Sequence, residues 1–171
     1  MLLELKQYWI TKWYFIEKRL NELTEAEKDW FDNLENKIID FDKTWKYFAH
    51  LSLKTADSLN IKNKNNLDFI EFKNIKNSLN IADFIKSLNF DLKVQESFQL
   101  LRNIINEKSF WTKERRKKFN ETNNKFIFSI TWNITPQIDF LLTSEIVWLE
   151  NYDKTLEKVI WIETKDLKNY V

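Results

Sequence analysis

Asn123-Asn124-Lys125-Phe126-Ile127-Phe128-Ser129-Ile130-Thr131-Trp132-Asn133-Ile134 is the stretch in which the hydrophobic pattern of this chain changes period. Phe126, Phe128, Ile130, Trp132 and Ile134 alternate with Ile127, Ser129, Thr131 and Asn133, the spacing of a half-buried strand. Pro136 has no backbone donor and is expected to end that strand. A second strand is expected over 138–149, a turn at Asn151-Tyr152-Asp153-Lys154, and a returning strand over 157–164. Together these predict a three-stranded antiparallel meander.

Upstream the period is 3.6. Leu2, Leu5, Trp9, Trp13, Ile16, Leu20 and Leu23 recur every three or four residues, which predicts one long helix. Thr24 and Glu27 form a capping box for a second helix carrying Phe31, Leu34, Ile38, Phe41, Trp45 and Phe48. The polar run 60–66 is expected to be a surface loop. Shorter helical patterns follow, through Phe69, Phe72, Ile75 and Leu79, then Ile81, Phe84, Ile85 and Leu88, then Val94, Phe98, Leu101 and Ile105. Ser109 is expected to cap a last helix over 110–119. The predicted fold is α+β and predominantly helical: one domain over 1–171, helical over 1–122, with the antiparallel sheet over 123–171.

Composition narrows the chemistry. The 171 residues include no Gly, no Cys and one His. Phosphate-cradling loops of the usual glycine-rich form are therefore excluded, as are thiolate metal sites and disulfides. The lone His50 reads as a packed or surface residue. No cofactor is expected. Lys, Asn, Ile and Phe abound while glycine is missing, which points to an A/T-rich genome; the 8 Trp residues fit a genetic code that also reads UGA as Trp. Without glycine, left-handed backbone falls to asparagine, with Asn21, Asn60, Asn89, Asn106 and Asn120 as candidates. No apolar stretch approaches the roughly 18–20 residues of a membrane span. An intracellular, reducing compartment is expected, the mitochondrial matrix or the cytoplasm.

Charge is segregated along the chain. Residues 1–60 carry a net −2, residues 61–125 a net +6 and residues 126–171 a net −3. The basic excess gathers at Lys108, Lys113, Arg115, Arg116, Lys117, Lys118 and Lys125, a candidate phosphate-contacting segment for RNA or DNA. Aromatic residues make up 16%, more than one small core usually takes, which favours sticky contacts with neighbouring proteins. The expected function is a non-enzymatic interaction subunit of a larger assembly, a ribonucleoprotein such as a mitochondrial ribosome. Its partners would be protein subunits, with RNA contacted through 108–125. A small phage or bacterial inhibitor or immunity-type protein is another reading.

One pattern speaks for catalysis. Pro136 and Asp139, followed by Glu163-Thr164-Lys165, resemble the Asp…Glu-x-Lys signature of the PD-(D/E)xK nuclease superfamily. The resemblance implies that Asp139 and Glu163 hold a divalent metal and that Lys165 assists the attacking water. It also implies a helix and a further strand after the lysine, where this sequence supplies six more residues.

Overall fold

The computed structural model describes residues 2–12, 15–23, 37–44, 53–63, 65–74, 89–105, 112–131, 136–152 and 158–171, and every structural statement below concerns those. The chain runs through α1 (Leu2–Thr11), β1 (Glu17–Arg19), a short α2 (Leu20–Leu23), β2 (Lys37–Asp40), β3 (Ser58–Ile61) and β4 (Asn66–Asn74). Then come α3 (Phe90–Ile105), α4 (Lys113–Asn120), β5 (Asn123–Thr131), α5 (Pro136–Tyr152), β6 (Lys158–Glu163) and a 3-10 segment, Thr164–Asn169. The strands form one sheet in the order β1-β2-β3-β4-β5-β6. Neighbours are antiparallel from β1 to β4, whereas β4 pairs with β5, and β5 with β6, in parallel.

Parallel neighbours need a crossover, and α5 supplies it between β5 and β6. Helices cover one sheet face. Leu2, Leu5 and Trp9 of α1, Val94, Phe98 and Leu101 of α3, and Ile138 and Leu142 of α5 pack there against Leu59, Phe69, Phe126, Phe128 and Val159. Phe69 is the hub, its ring 4.9 Å from Phe98, 5.6 Å from Phe41 and 5.7 Å from Phe126. A smaller cluster on the opposite face joins Leu20, Ile38, Ile70, Ile127, Ile162 and Leu167. Central strands buried on both faces need apolar residues at consecutive positions, which is what Phe126-Ile127-Phe128 provides.

This architecture overturns the expectation of a mainly helical chain with a three-stranded antiparallel meander: a six-stranded mixed sheet replaces it. The first helical stripe stops at Thr11, and Glu17–Arg19 is a strand. Ile38 and Phe41, expected on a helix, lie in and just after β2, and Phe69 and Phe72 lie in β4. The stretch expected as a second C-terminal strand is α5, which opens on Pro136 at the first helical position, where its missing donor costs nothing. The capping box, Ser109 and His50 lie outside the described residues. Asn89 does take left-handed backbone (φ 47°), immediately before α3. Among the described residues no helix is long and apolar enough to cross a membrane.

The cap of α4 is Thr112, whose hydroxyl oxygen accepts from the Arg115 amide at 3.2 Å. Thr112→Ala is expected to lower unfolding free energy by about 1 kcal/mol, measured by urea denaturation.

Candidate active site

The site begins where the β3–β4 hairpin opens. The Asn63 side-chain oxygen accepts from the amides of Asn65 and Asn66 (2.9 and 3.1 Å), closing the turn. The ladder then runs from Ile61 opposite Leu67 to Ser58 opposite Ile70. Beyond that point β4 continues alone along β5, while the chain preceding Ser58 departs toward α3. Asp57 stands at this fork. Extending the register by one residue sets it opposite Glu71. Its Oδ2 accepts from the Phe72 amide at 2.7 Å, taking over the backbone donor that the ladder no longer pairs. The Asp57 carbonyl oxygen accepts from both Phe41 (3.0 Å) and Asp42 (3.3 Å), the two-against-one pairing of a β-bulge, a device that re-aims side chains beside functional sites.

Alternation places Asp57, Glu71 and Lys73 on the face that carries Leu59 and Phe69, beneath α3. The first two turns of α3 fasten this corner. Lys93 Nζ donates to the Thr55 carbonyl oxygen (2.8 Å), Ser97 Oγ accepts from the Ala56 amide (2.7 Å), and Glu96 accepts from the Lys54 amide. Three consecutive backbone units leading into Asp57 are thus held by one helix. Glu71 is fully buried, and its carboxylate meets two ammonium groups. Lys73 Nζ lies 2.6 Å from Oε1, and Lys93 Nζ lies 3.0 Å from Oε1 and 3.1 Å from Oε2.

Burying a carboxylate costs several kcal/mol unless opposite charge compensates it, and the two lysines do so here. Oε1 is held by charge alone, with no aligned hydrogen-bond donor. Asp57 is less favoured as an anion. Desolvation, then the neighbouring Glu71 carboxylate, raises its pKa from the ordinary 3.8 to about 7, against the opposing pull of the Phe72 amide and the two lysines. A carboxyl whose proton affinity burial raises, set beside a second buried carboxylate and two ammonium groups, is a functional-site candidate on physical grounds. Asp40 and Asp68 show the contrast. Both are buried on the opposite face, yet Asp40 is paired with Lys18 and Lys43, and Asp68 with Lys62, at 3.0–3.3 Å.

These residues suit a hard divalent cation. Magnesium is commonly held by only one or two carboxylates, keeps several of its waters and takes the rest of its shell from substrate phosphate. Asp57 and Glu71, set opposite one another by the β3–β4 register, offer that pair of oxygen ligands. The described residues gather no cluster of three metal-ligating side chains.

The residues singled out from sequence fall elsewhere. Asp139 lies in the first turn of α5, exposed, accepting from the Thr143 hydroxyl at 3.3 Å. Glu163 ends β6 and pairs with Lys165. Their expected convergence required an antiparallel partner for the last strand, and α5 occupies that stretch instead. Glu163 does share a register row with Lys73, through Ile130, about 10 Å across the sheet. Of the basic segment, Lys108 is outside the described residues, and Lys113, Arg115, Arg116, Lys117 and Lys118 lie on α4. Lys118 pairs with Glu114 (2.8 Å) and Arg115 with Glu4 (4.0 Å), around an open cleft of about 790 Å³ that also carries Glu121. Lys125 lies on β5 opposite Asp68. That helix leads into β5 beside Asn66, five residues and roughly 17 Å along β4 from Glu71.

Sequence reasoning missed Asp57, Glu71, Lys73 and Lys93. The signal was present: Asp57 followed by Glu71-Phe72-Lys73 is the same Asp…Glu-x-Lys pattern noted at 139–165. Compared with models of protein families, with curated proteins and with solved structures, the chain matches none of them.

Proposed function

We propose that this chain is a metal-dependent nuclease of the PD-(D/E)xK type, with Asp57 and Glu71 as the metal-holding carboxylates and Lys73 as the residue that assists the attacking water. The observation that carries the proposal is the placement of Asp57 against Glu71-Phe72-Lys73 on one sheet face, at the opening of a hairpin. After Lys73 come the helices α3 and α4 and then β5, a strand parallel to β4, the helix-then-strand order that the resemblance implies. The divalent cation, when bound, supplies a Lewis acid for a phosphoryl oxygen and lowers the pKa of a bound water. The protein's own part is positional. The fork and the bulge aim Asp57, α3 fixes the backbone behind it, and Lys73 brings a fixed positive charge beside the carboxylates, where a phosphodiester's negative charge must be met.

The test is cleavage of single- and double-stranded DNA and of RNA by the purified chain. Activity is expected with Mg²⁺ or Mn²⁺, none in EDTA, and none from Asp57→Ala or Glu71→Ala. Asp139→Ala should cleave as the unmodified protein does. The reverse pattern, with loss in Asp139→Ala and retention in Asp57→Ala, would return the reading to the C-terminal residues. The expectation of a non-enzymatic ribonucleoprotein subunit rests on composition and on the basic segment, whose described cations lie at the other end of β4. A chain that cleaves nothing in any metal, yet sediments with a large particle, would favour it instead.

A further inference from the structure

Glu71 carries more positive charge than the nuclease reading requires. Lys73 belongs to the Glu-x-Lys pattern, but Lys93 comes from α3 and is the cation that spans both oxygens of the carboxylate, at 3.0 and 3.1 Å. Its third contact is the Thr55 carbonyl oxygen at 2.8 Å, two residues before Asp57. One ammonium therefore lies on three oxygens, beside the carboxylate that a divalent ion must use. Its side chain is 17% exposed, so the charge is substantially removed from water, and the pairing is stronger than at a surface.

We propose that Lys93 is a built-in counter-cation that competes with the divalent metal for Glu71. In the metal-free protein it neutralises the buried carboxylate; when metal binds, it gives up that carboxylate. The contact keeps the metal-free fold intact and raises the cation concentration at which the site fills. This rests on the reading of Asp57 and Glu71 as metal ligands. It goes beyond that reading by making a residue outside the Asp…Glu-x-Lys pattern the determinant of the metal threshold.

The experiment is calorimetric titration of Mn²⁺ into the unmodified chain and into Lys93→Gln, Lys93→Met and Glu71→Gln, with thermal unfolding of each in EDTA. Glutamine at 93 can still donate to Thr55 and Glu71 but carries no charge, so it keeps the test open if the methionine variant fails to fold. Removing a charge-assisted contact that the metal would otherwise have to displace predicts about tenfold tighter Mn²⁺ binding by Lys93→Gln. The same variant should show a lower unfolding temperature in EDTA, recovered by Mn²⁺. Equal or weaker Mn²⁺ binding in Lys93→Gln, with the unmodified chain binding and Glu71→Gln not, would overturn the competition and leave the nuclease reading standing. If the unmodified chain binds no Mn²⁺, both fall together.

Discussion

Lys73→Ala is expected to slow metal-dependent cleavage by about 10²–10⁴-fold while leaving Mn²⁺ affinity within a few-fold of the unmodified protein. Both lysines contact Glu71, so contact alone does not separate their roles; position in the fold does. Lys73 stands on β4, two residues along the same face from Glu71, and its side chain is 25% exposed. It can turn toward a substrate without leaving the sheet. Lys93 is anchored to the Thr55 carbonyl and serves the metal-free state. The two substitutions should therefore part company: loss at 73 is read in kcat, and loss at 93 in metal affinity and metal-free stability. If Lys73→Ala instead weakened Mn²⁺ binding in proportion to the rate, Lys73 would be organising the ligands and not acting on water.

The parts of the fold that could be read in the sequence were those with a single buried face or an unambiguous alternation. Val94, Phe98 and Leu101 are core residues of α3 at the expected helical spacing, and Phe126, Phe128 and Ile130 line one face of β5. The failures share a cause. Glycine is absent and Pro136 is the single proline, so the breaks that usually punctuate helices and turns were not written. Leu2, Leu5 and Trp9 were thus joined to Leu20 as one stripe across a helix end and a strand. β4 failed differently. Being central, it buries Leu67, Phe69 and Ile70 on two faces, and a short two-sided strand cannot be told from a helix by period. In α5 the positions 138, 140 and 142 are all apolar and mimic alternation, yet Ile138 and Leu142 are buried while Phe140 is 70% exposed.

The same errors hid the site. A helical reading through Phe69, Phe72, Ile75 and Leu79 puts Glu71 and Lys73 on different faces, so the acid-acid-lysine pattern shows only where C-terminal strands are expected. What composition excluded still bears on the site: without Cys there is no thiolate ligand, and Asp57 and Glu71 offer hard oxygen ligands.

The second large effect concerns pH. Asp57 holds its proton in the folded metal-free chain up to about pH 7, whereas in the unfolded chain it releases it near 3.8. Between those values the native state binds more protons than the unfolded state, so stability must fall as pH rises across that window and level off above it. A shift of about three pH units corresponds to as much as roughly 4 kcal/mol from this one group. The groups facing it are Glu71, Lys73 and Lys93, and Glu71 keeps both of its lysine partners. Removing the Asp57 carboxyl should therefore remove the slope. In EDTA, the stability of Asp57→Asn relative to the unmodified protein is expected to rise steadily from pH 4 to 7, ending with the variant the more stable at pH 8. Adding Mn²⁺ at pH 8 should invert that order, because metal binds the native unmodified chain and favours its ionised Asp57. Urea unfolding of both proteins at pH 4, 5.5, 7 and 8 measures this directly. Parallel curves would mean that Asp57 is an ordinary ionised carboxylate, and the electrostatic case for a metal site at the hairpin fork would go with it.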